Sequence, residues 1–114
     1  MRRLYVSPAA RADIAAITAK SLEAFGADAA ITYNRLIRRA FEDLLDDPCR
    51  TGSAALNLSE GSYRLYAIRH SVERAPSVAR VRKPRHVVIF RADDERLEVV
   101  RVLHDAMDPQ RHRA

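Results

Sequence analysis

The spacing of apolar residues changes once along this 114-residue chain, and the change limits the folds that the chain can adopt. After a short extended opening, apolar side chains recur every three or four residues as far as Asp46, which is the spacing of one helix face. From Tyr63 onward they alternate with polar residues or form continuous runs, which is typical of β-strands. The sequence therefore predicts a pair of amphipathic elements followed by a sheet.

Start and stop signals divide the helical part into two helices. Ser7 can cap the free N–H groups of a helix, and Pro8 loses no hydrogen bond at the first helical position. Gly26 can end this helix, Asp28 can cap the next one, and Pro48 stops it. Because the link is so short, we expect an antiparallel helix hairpin. The apolar faces comprise Ile14, Ile17, Leu22 and Phe25 in the first helix and Ala30, Tyr33, Ile37, Ala40 or Phe41, and Leu44 in the second.

Four segments have the composition of strands. The last two contain continuous apolar runs, which suit strands that are buried on both faces. Residues 49–61 are rich in glycine, serine and asparagine and predict an ordered surface loop, whereas residues 71–84 carry two prolines and predict a long hairpin loop. The predicted strands are 3–6, 63–70, 86–91 and 97–104.

This order of elements predicts a two-layer α+β fold. We expect the N-terminal strand and the antiparallel helix hairpin to pack on one face of a twisted antiparallel sheet, in the order β-α-α-β-β-β. The length predicts one domain over residues 1–114, and the single cysteine, Cys49, excludes an internal disulfide. Since no segment has the pattern of a membrane helix or a signal peptide, we expect a cytoplasmic protein.

The positive charge of the chain is concentrated in residues 61–91. This segment carries eight basic side chains against Glu73 alone, whereas residues 1–60 are balanced and residues 92–114 are net acidic. Such asymmetry indicates a negatively charged counterpart, which could be nucleic acid, a protein machine that acts on nucleic acid, or an acidic protein, and the charge alone does not decide among them.

Four stretches carry a resemblance to a known family: 4–14 (LYVSPAARADI), 44–48 (LLDDP), 85–91 (RHVVIFR) and 99–108 (VVRVLHDAMD). In their order and spacing they resemble the toxins of bacterial type II toxin–antitoxin modules, the RelE/ParE superfamily, and more closely its ParE branch. Two features depart from the family. The insertion between Ile68 and His86 is longer and more basic than the usual turn, and Phe90 stands where many relatives have a tyrosine.

The resemblance implies growth inhibition, plasmid stabilisation and one of two targets. RelE-like members cut messenger RNA on the ribosome, whereas ParE-like members bind and poison DNA gyrase and are not nucleases. We prefer gyrase, with the ribosome-dependent endoribonuclease as the alternative and an inactive module that only sequesters antitoxin as a third possibility. Phe90 has no hydroxyl, whereas a nuclease could use a tyrosine hydroxyl at this position in proton transfer. Its absence therefore favours gyrase as the target.

RNA cleavage would need proton-transfer groups together with cations on the phosphate. His86, Glu98 and His104 are candidates for proton transfer, and each histidine also suits a structural role at a strand end. Arg91 and Arg101 also suit a structural role, in which they pack their stems on the sheet and expose their charged heads. The candidate nuclease residues are Arg64, His86, Arg91, Arg101 and His104.

A gyrase poison needs a complementary charged surface rather than an acid and a base. The predicted target-binding or nucleic-acid-binding residues are Arg69, Arg74, Arg80, Arg82, Lys83, Arg85, His104 and Met107.

The resemblance also implies a ParD-like antitoxin whose acidic C-terminal segment wraps the toxin in a hetero-oligomer, and the sequence pI of about 10 suits such a partner. Apolar residues on the helix hairpin are the candidate antitoxin contacts, with a core role as the alternative: Tyr33, Ile37 and Phe41.

We expect neither a metal nor a cofactor. His104, Asp108 and His112 recur at four-residue spacing, but Pro109 interrupts the helix that would align them.

Overall fold

The computed structural model describes residues 2–59, 61–74, 84–107 and 109, and only the backbone of residues 73 and 74. The elements are β1 (Arg3–Val6), α1 (Pro8–Phe25), α2 (Ala27–Asp46), β2 (Ser53–Leu58), β3 (Gly61–Ala67), a 3-10 helix (Ile68–Arg74), β4 (His86–Ala92) and β5 (Arg96–His104).

The strands form one sheet in the order β1-β5-β4-β3-β2. The helices pack on the sheet, which confirms the predicted α+β architecture. The sheet is mixed rather than wholly antiparallel, because β1 lies parallel to β5 while every other neighbour is antiparallel. The N-terminal strand is thus an edge strand of the sheet itself.

The expectation of a loop over residues 49–61 is wrong. Residues Ser53–Leu58 form β2, which pairs antiparallel with β3 from Ser53↔Tyr66 to Leu58↔Gly61. Small and polar residues suggested a loop, but cross-strand pairing supplies the backbone hydrogen bonds that these side chains do not encode.

The end of the predicted strand 63–70 and the start of the predicted hairpin loop 71–84 differ from expectation. β3 ends at Ala67, and the chain enters the 3-10 helix Ile68–Arg74 instead of continuing as a strand to His70. Residues 75–83 lie outside the described residues.

Local signals at the helix ends act mostly as expected. The Ser7 hydroxyl accepts a hydrogen bond from the Ala10 N–H at 3.0 Å, with Pro8 as the first helical residue. Gly26 alone links the helices, and its φ of +91° is a conformation that glycine adopts without a Cβ penalty. Because α2 begins at Ala27, Asp28 lies in its first turn and does not cap it.

Both faces of the central strands are buried, as their continuous apolar runs predicted. Val88 and Phe90 on β4 face the helices and are fully buried. Ile89 and Leu103 face the opposite side of the sheet, where they form a second apolar cluster. The helix-side cluster includes Ala10, Leu36, Ile37, Ala40, Phe41, Leu44, Tyr66, Ile68, Leu97, Val99 and Val102.

A register shift in β5 anchors α1 to the sheet. Phe90 pairs with Val99 and Ile89 with Arg101, so β5 contains one extra residue at this point. The Ser7 hydroxyl donates to the Val100 carbonyl oxygen at 2.7 Å. Ser7 therefore caps α1 and joins its first turn to the bulge.

Asp13 completes this anchor. Its carboxylate accepts two hydrogen bonds from the Arg101 guanidinium, both at 2.7 Å, and one from the Val102 N–H at 2.9 Å. The side-chain hydrogen bond to Asp13 raises the pKa of Arg101 above its ordinary value. Arg101 thus reaches from β5 to α1, where it acts as a structural group.

We predict that Asp13→Ala lowers the free energy of unfolding by about 2–4 kcal/mol, because it leaves a mostly buried guanidinium and a backbone N–H without their acceptor. Urea denaturation followed by circular dichroism measures the change. Arg85→Ala breaks an ion pair at the surface and is the matched control, with a midpoint close to that of the wild type. Equal midpoints for the two variants would contradict the anchoring role.

Candidate functional site

Three predicted residues meet at the end of the sheet where β4 begins and β5 ends. His86 and His104 are cross-strand partners, with ring centroids 5.6 Å apart in a T-shaped arrangement. Tyr33 reaches them from α2, and its hydroxyl lies 2.5 Å from Nδ1 of His86. We call Tyr33, His86 and His104 the tyrosine–histidine cluster.

Burial sets the protonation of this cluster. It lowers the pKa of His86 to about 4, and the neighbouring His104 acts in the same direction. Burial also raises the pKa of Tyr33 to about 12. At neutral pH the Tyr33 hydroxyl therefore donates to the neutral His86 ring. A histidine with so low a pKa is a weak proton acceptor, which makes His86 poorly suited to general-base catalysis at neutral pH.

His104 is the more accessible histidine, with 39 % of its side chain exposed. Its Nδ1 accepts a hydrogen bond from the Ala106 N–H at 3.1 Å, and the Asp105 carboxylate lies 3.3 Å away.

An ion pair borders the tyrosine–histidine cluster. Arg85 donates to both carboxylate oxygens of Asp105, at 3.0 and 3.2 Å, and these hydrogen bonds lower the pKa of Asp105. The Asp105 N–H donates back to the Arg85 carbonyl oxygen at 2.7 Å. Met107 follows with 45 % exposure. Arg85, His104 and Met107, three of the predicted target-binding residues, thus share one end of the sheet.

Of the other predicted target-binding residues, Arg69 alone has a described side chain. Arg69 is exposed on the 3-10 helix. Outside the described residues lie the side chain of Arg74 and the whole of Arg80, Arg82 and Lys83. The same is true of Asp108 and His112, which recur with His104 at four-residue spacing.

The candidate nuclease arginines do not converge, although His86 and His104 meet in the tyrosine–histidine cluster. Arg64 donates to the hydroxyl and the carbonyl oxygen of Ser53 at the β2 edge. Arg91 pairs with Glu98 at 2.7 Å, at the opposite end of β4 from His86. Arg101 is bound to Asp13, so each arginine serves a local contact.

The interpretation of Phe90 as evidence for gyrase over a nuclease was wrong. The ring is fully buried among the apolar side chains between helices and sheet. A hydroxyl there would meet the core and not a surface site, so its absence carries no information about acid–base chemistry at the surface.

Two of the three predicted antitoxin contacts are buried, contrary to the exposure expected for them. Ile37 and Phe41 are 3 % and 6 % exposed and belong to the helix-side core, because their stripe faces the sheet. Tyr33 is half-buried beside His86. Apolar exposure occurs instead at the hairpin tip, which we define as Leu22, Phe25 and Ile31, exposed by 52 %, 78 % and 50 %.

A buried polar network escaped the sequence analysis. The Asp43 carboxylate on α2 is 3 % exposed and binds Arg39 at 3.1 Å, Arg50 at 2.8 Å and the Ser71 hydroxyl at 2.6 Å. The Tyr66 hydroxyl lies 2.7 Å from that of Ser71. The network joins α2 to the segment before β2 and to the 3-10 helix. The sequence signal for this network was Asp43 itself, an acidic residue that lies on the apolar stripe of α2.

Gly52 also ties this segment to the 3-10 helix. Its φ is +100°, and a Cβ added there would lie 2.6 Å from the His70 ring. Only glycine fits this close approach, so the turn before β2 depends on it.

Among the described residues, no group of three histidine, cysteine, aspartate or glutamate side chains is placed to hold a metal ion. The helices described here also lack the length and apolar character needed to cross a membrane.

The element order, the mixed sheet and the helix hairpin define a two-layer α+β protein of the RelE/ParE type. Residues 4–109 match the family model described as ParE toxin of type II toxin-antitoxin system, parDE, so the chain belongs to the ParE toxin family. Membership identifies it as a toxin and implies an antitoxin partner. Comparison with curated proteins gives no match.

The low pKa of His86 predicts an acid-sensitive fold. In the unfolded chain His86 takes up a proton near its ordinary pKa of 6.5, whereas the folded protein resists protonation down to about 4. The stability contributed by the neutral ring is therefore complete above pH 6.5 and lost as the pH falls toward 4. Histidine NMR titration of the folded protein should show one ring titrating near 4, and a His86→Gln variant should lack that signal. A His86 ring that titrates near 6.5 contradicts this account.

Proposed function

We propose that this toxin acts by binding and inhibiting DNA gyrase, that it cleaves no RNA, and that a ParD-like antitoxin holds it inactive in the cytoplasm. The observation that carries the proposal is the dispersal of the candidate nuclease residues. Three arginines that could bind a scissile phosphate occupy different ends and faces of the sheet, and each has a structural partner.

Transition-state stabilisation in RNA cleavage needs cations and proton-transfer groups around one phosphate. The tyrosine–histidine cluster supplies two histidines in contact, which is the one observation that favours the nuclease alternative. His86 is neutral and bound to Tyr33, and the neighbouring Arg85 is paired with Asp105. The cluster therefore fits a positioned protein-binding surface better than an acid–base pair.

The same surface has the properties of a protein interface. His104, Arg85 and Met107 combine an exposed ring, a charged group and an exposed apolar side chain at one end of the sheet. Arginine and methionine are enriched in interfaces, where a polar rim surrounds a less polar centre. We propose that this end of the sheet, within a single domain formed by residues 1–114, contacts gyrase.

The hairpin tip is our proposed antitoxin contact. Large apolar side chains that remain exposed together mark interaction sites more often than isolated ones do. Leu22 and Phe25 lie in the last turns of α1, and Ile31 lies in the second turn of α2, so the one-residue link brings them to the same end of the hairpin. An amphipathic antitoxin segment can cover them with its own apolar side chains.

We predict that the purified toxin inhibits gyrase supercoiling and that the double variant His86→Gln, His104→Gln retains inhibition to within about threefold, a change of less than 1 kcal/mol. Glutamine keeps a hydrogen-bonding side chain of similar size at both positions, so the proposed surface contact is retained, and neither histidine is required to transfer a proton to a substrate under this proposal. Supercoiling of a relaxed plasmid, resolved on agarose gels across a toxin titration, gives the half-inhibiting concentration.

Primer extension on translated messenger RNA after toxin induction provides the contrasting result. Codon-positioned cuts that disappear in the double variant, together with unimpaired supercoiling at a molar excess of toxin, would establish the nuclease alternative. Normal growth after induction without antitoxin would instead identify an inactive module.

We predict that Phe25→Asp weakens the antitoxin complex by at least about tenfold, since it places a charge in an apolar contact. Cells that co-express the variant with its antitoxin should stop growing at antitoxin levels that protect against the wild type. Ala16→Asp adds the same charge to an exposed position on another side of α1 and is the matched control. Equal protection against Phe25→Asp and the wild type contradicts the proposed contact.

A further inference from the structure

A row of arginines and tyrosines crosses the sheet on the face opposite the helices. Register places Arg3 beside Arg96 and Tyr5 beside Glu98 on β1 and β5, and Glu98 beside Arg91 on β4. These positions alternate with Leu97 and Val99, which face the helices, so they point to the other side. We define the arginine–tyrosine row as Arg3, Tyr5, Arg96, Arg91 and Tyr63.

Arginine and tyrosine side chains in this row are stacked in pairs. The Arg96 guanidinium lies 4.7 Å from the centroid of the Tyr5 ring, and that of Arg91 lies 5.6 Å from the centroid of Tyr63. Tyr5 is 42 % exposed and the Arg91 side chain is 57 % exposed, so both stacks present surface to solvent.

An open cavity lies along the row. It has a volume of about 390 Å³ and is lined by Ser62, Arg91, Ala92, Asp93, Arg96 and Glu98. The two acidic residues are engaged locally, because Glu98 binds Arg91 while the Asp93 carboxylate accepts the N–H groups of Glu95 and Arg96. Arg2 donates to the carbonyl oxygens of Asp93 and Leu45 and lies at the same end of the sheet. Four arginines, Arg2, Arg3, Arg91 and Arg96, are matched in number by Asp93, Asp94, Glu95 and Glu98, so the row offers guanidinium groups without a net positive charge.

We propose that the arginine–tyrosine row binds single-stranded nucleic acid. Exposed aromatic rings on a sheet face stack unpaired bases, guanidinium planes also stack on bases, and arginines contact the phosphates between them. A duplex keeps its bases stacked inside and cannot use the rings. An acidic protein could use the charge but would gain less from the tyrosine faces, so the alternation of ring and cation favours a single strand.

This binding site is independent of gyrase inhibition. None of its residues belongs to the tyrosine–histidine cluster, to the Arg85–Asp105 pair or to the hairpin tip. The toxin could therefore bind the oligonucleotide without inhibiting supercoiling, or inhibit supercoiling without binding the oligonucleotide. The two assays tell these outcomes apart.

Fluorescence anisotropy with the full-length toxin tests the proposal. The probes are labelled twelve-nucleotide oligothymidylate, oligouridylate of the same length and a twelve-base-pair DNA duplex, each at 50 mM salt. We expect both single strands, or one of them, to bind at least about tenfold more tightly than the duplex. Two or three phosphate contacts predict a slope of log affinity against log salt of about −1.4 to −2.1. The two single-stranded arms decide between DNA and RNA as the ligand.

Substitutions separate stacking from charge. Tyr5→Ala should weaken single-strand binding by about five- to a hundredfold, whereas Tyr5→Phe keeps the ring and should stay near the wild type. Arg38→Ala removes one positive charge from an exposed position on α2 and should weaken binding far less than Arg96→Ala. Circular dichroism checks that each variant is folded.

Glu98→Gln provides a test in the opposite direction. It releases Arg91 from its 2.7 Å ion pair and removes a negative charge, so we expect single-strand affinity to rise by about two- to fivefold. The proposal is overturned if no single strand binds, if the duplex binds equally well, or if Tyr5→Ala and Arg38→Ala have equal effects. Displacement of the oligonucleotide by polyglutamate, with Tyr5→Ala neutral, would show that the row recognises an acidic protein instead.

Discussion

The attachment of α1 to the bulge in β5 is the interaction on which the two-layer arrangement depends. Ser7 and Asp13 lie within the first turns of one helix and bind three consecutive residues of β5, Val100, Arg101 and Val102. α1 buries only one residue fully, Ala10, so apolar contact alone holds it weakly. The hydrogen bonds to the partly buried Asp13 carboxylate fix the position of α1 on the sheet, because an unpaired Asp13 or Arg101 would destabilise the fold.

The pairing of arginine side chains within the fold decides which charged surfaces stay accessible to partners. Arginines that a sequence reader would assign to phosphate binding are instead engaged within the fold, with Arg101 on Asp13, Arg50 on Asp43 and Arg64 on Ser53. Arg50 and Arg101 are 21 % and 18 % exposed, whereas Arg85 and Arg91 keep more than half of their side chains exposed beside their carboxylate partners. Among the described residues, the surfaces that we propose for partners are the Arg85 and His104 end of the sheet, the hairpin tip and the arginine–tyrosine row.

The sequence was a good guide where one residue determines the backbone. Ser7, Pro8 and Gly26 marked the first helix correctly, and the continuous runs in β4 and β5 indicated burial on both faces. Asp28 misled because glycine at position 26 lets α2 start immediately. β2 was missed because its stability comes from pairing with β3, which is a tertiary property.

The candidate site was less predictable, because side-chain direction depends on register. The extra residue in β5 places Val102 on the same face as Val99 and Leu103 on the opposite face, and strict alternation could not foresee it. Ile37 and Phe41 fell on the stripe that faces the sheet, whereas Leu22 and Phe25, grouped with the first core face, extend beyond it and stay exposed. His86 and His104 were predicted as site residues from the sequence, but the contact of His86 with Tyr33 required the packing of α2 on the sheet.

The central claim is that the toxin acts through a complementary surface and not through proton transfer. Isothermal titration calorimetry of the purified toxin with intact gyrase tests it most directly. The account predicts saturable binding with a defined stoichiometry, and an affinity that His86→Gln, His104→Gln leaves within about threefold and that Arg85→Glu weakens by about tenfold or more. Absence of binding to gyrase at micromolar concentrations, from a preparation that still arrests growth, would contradict it.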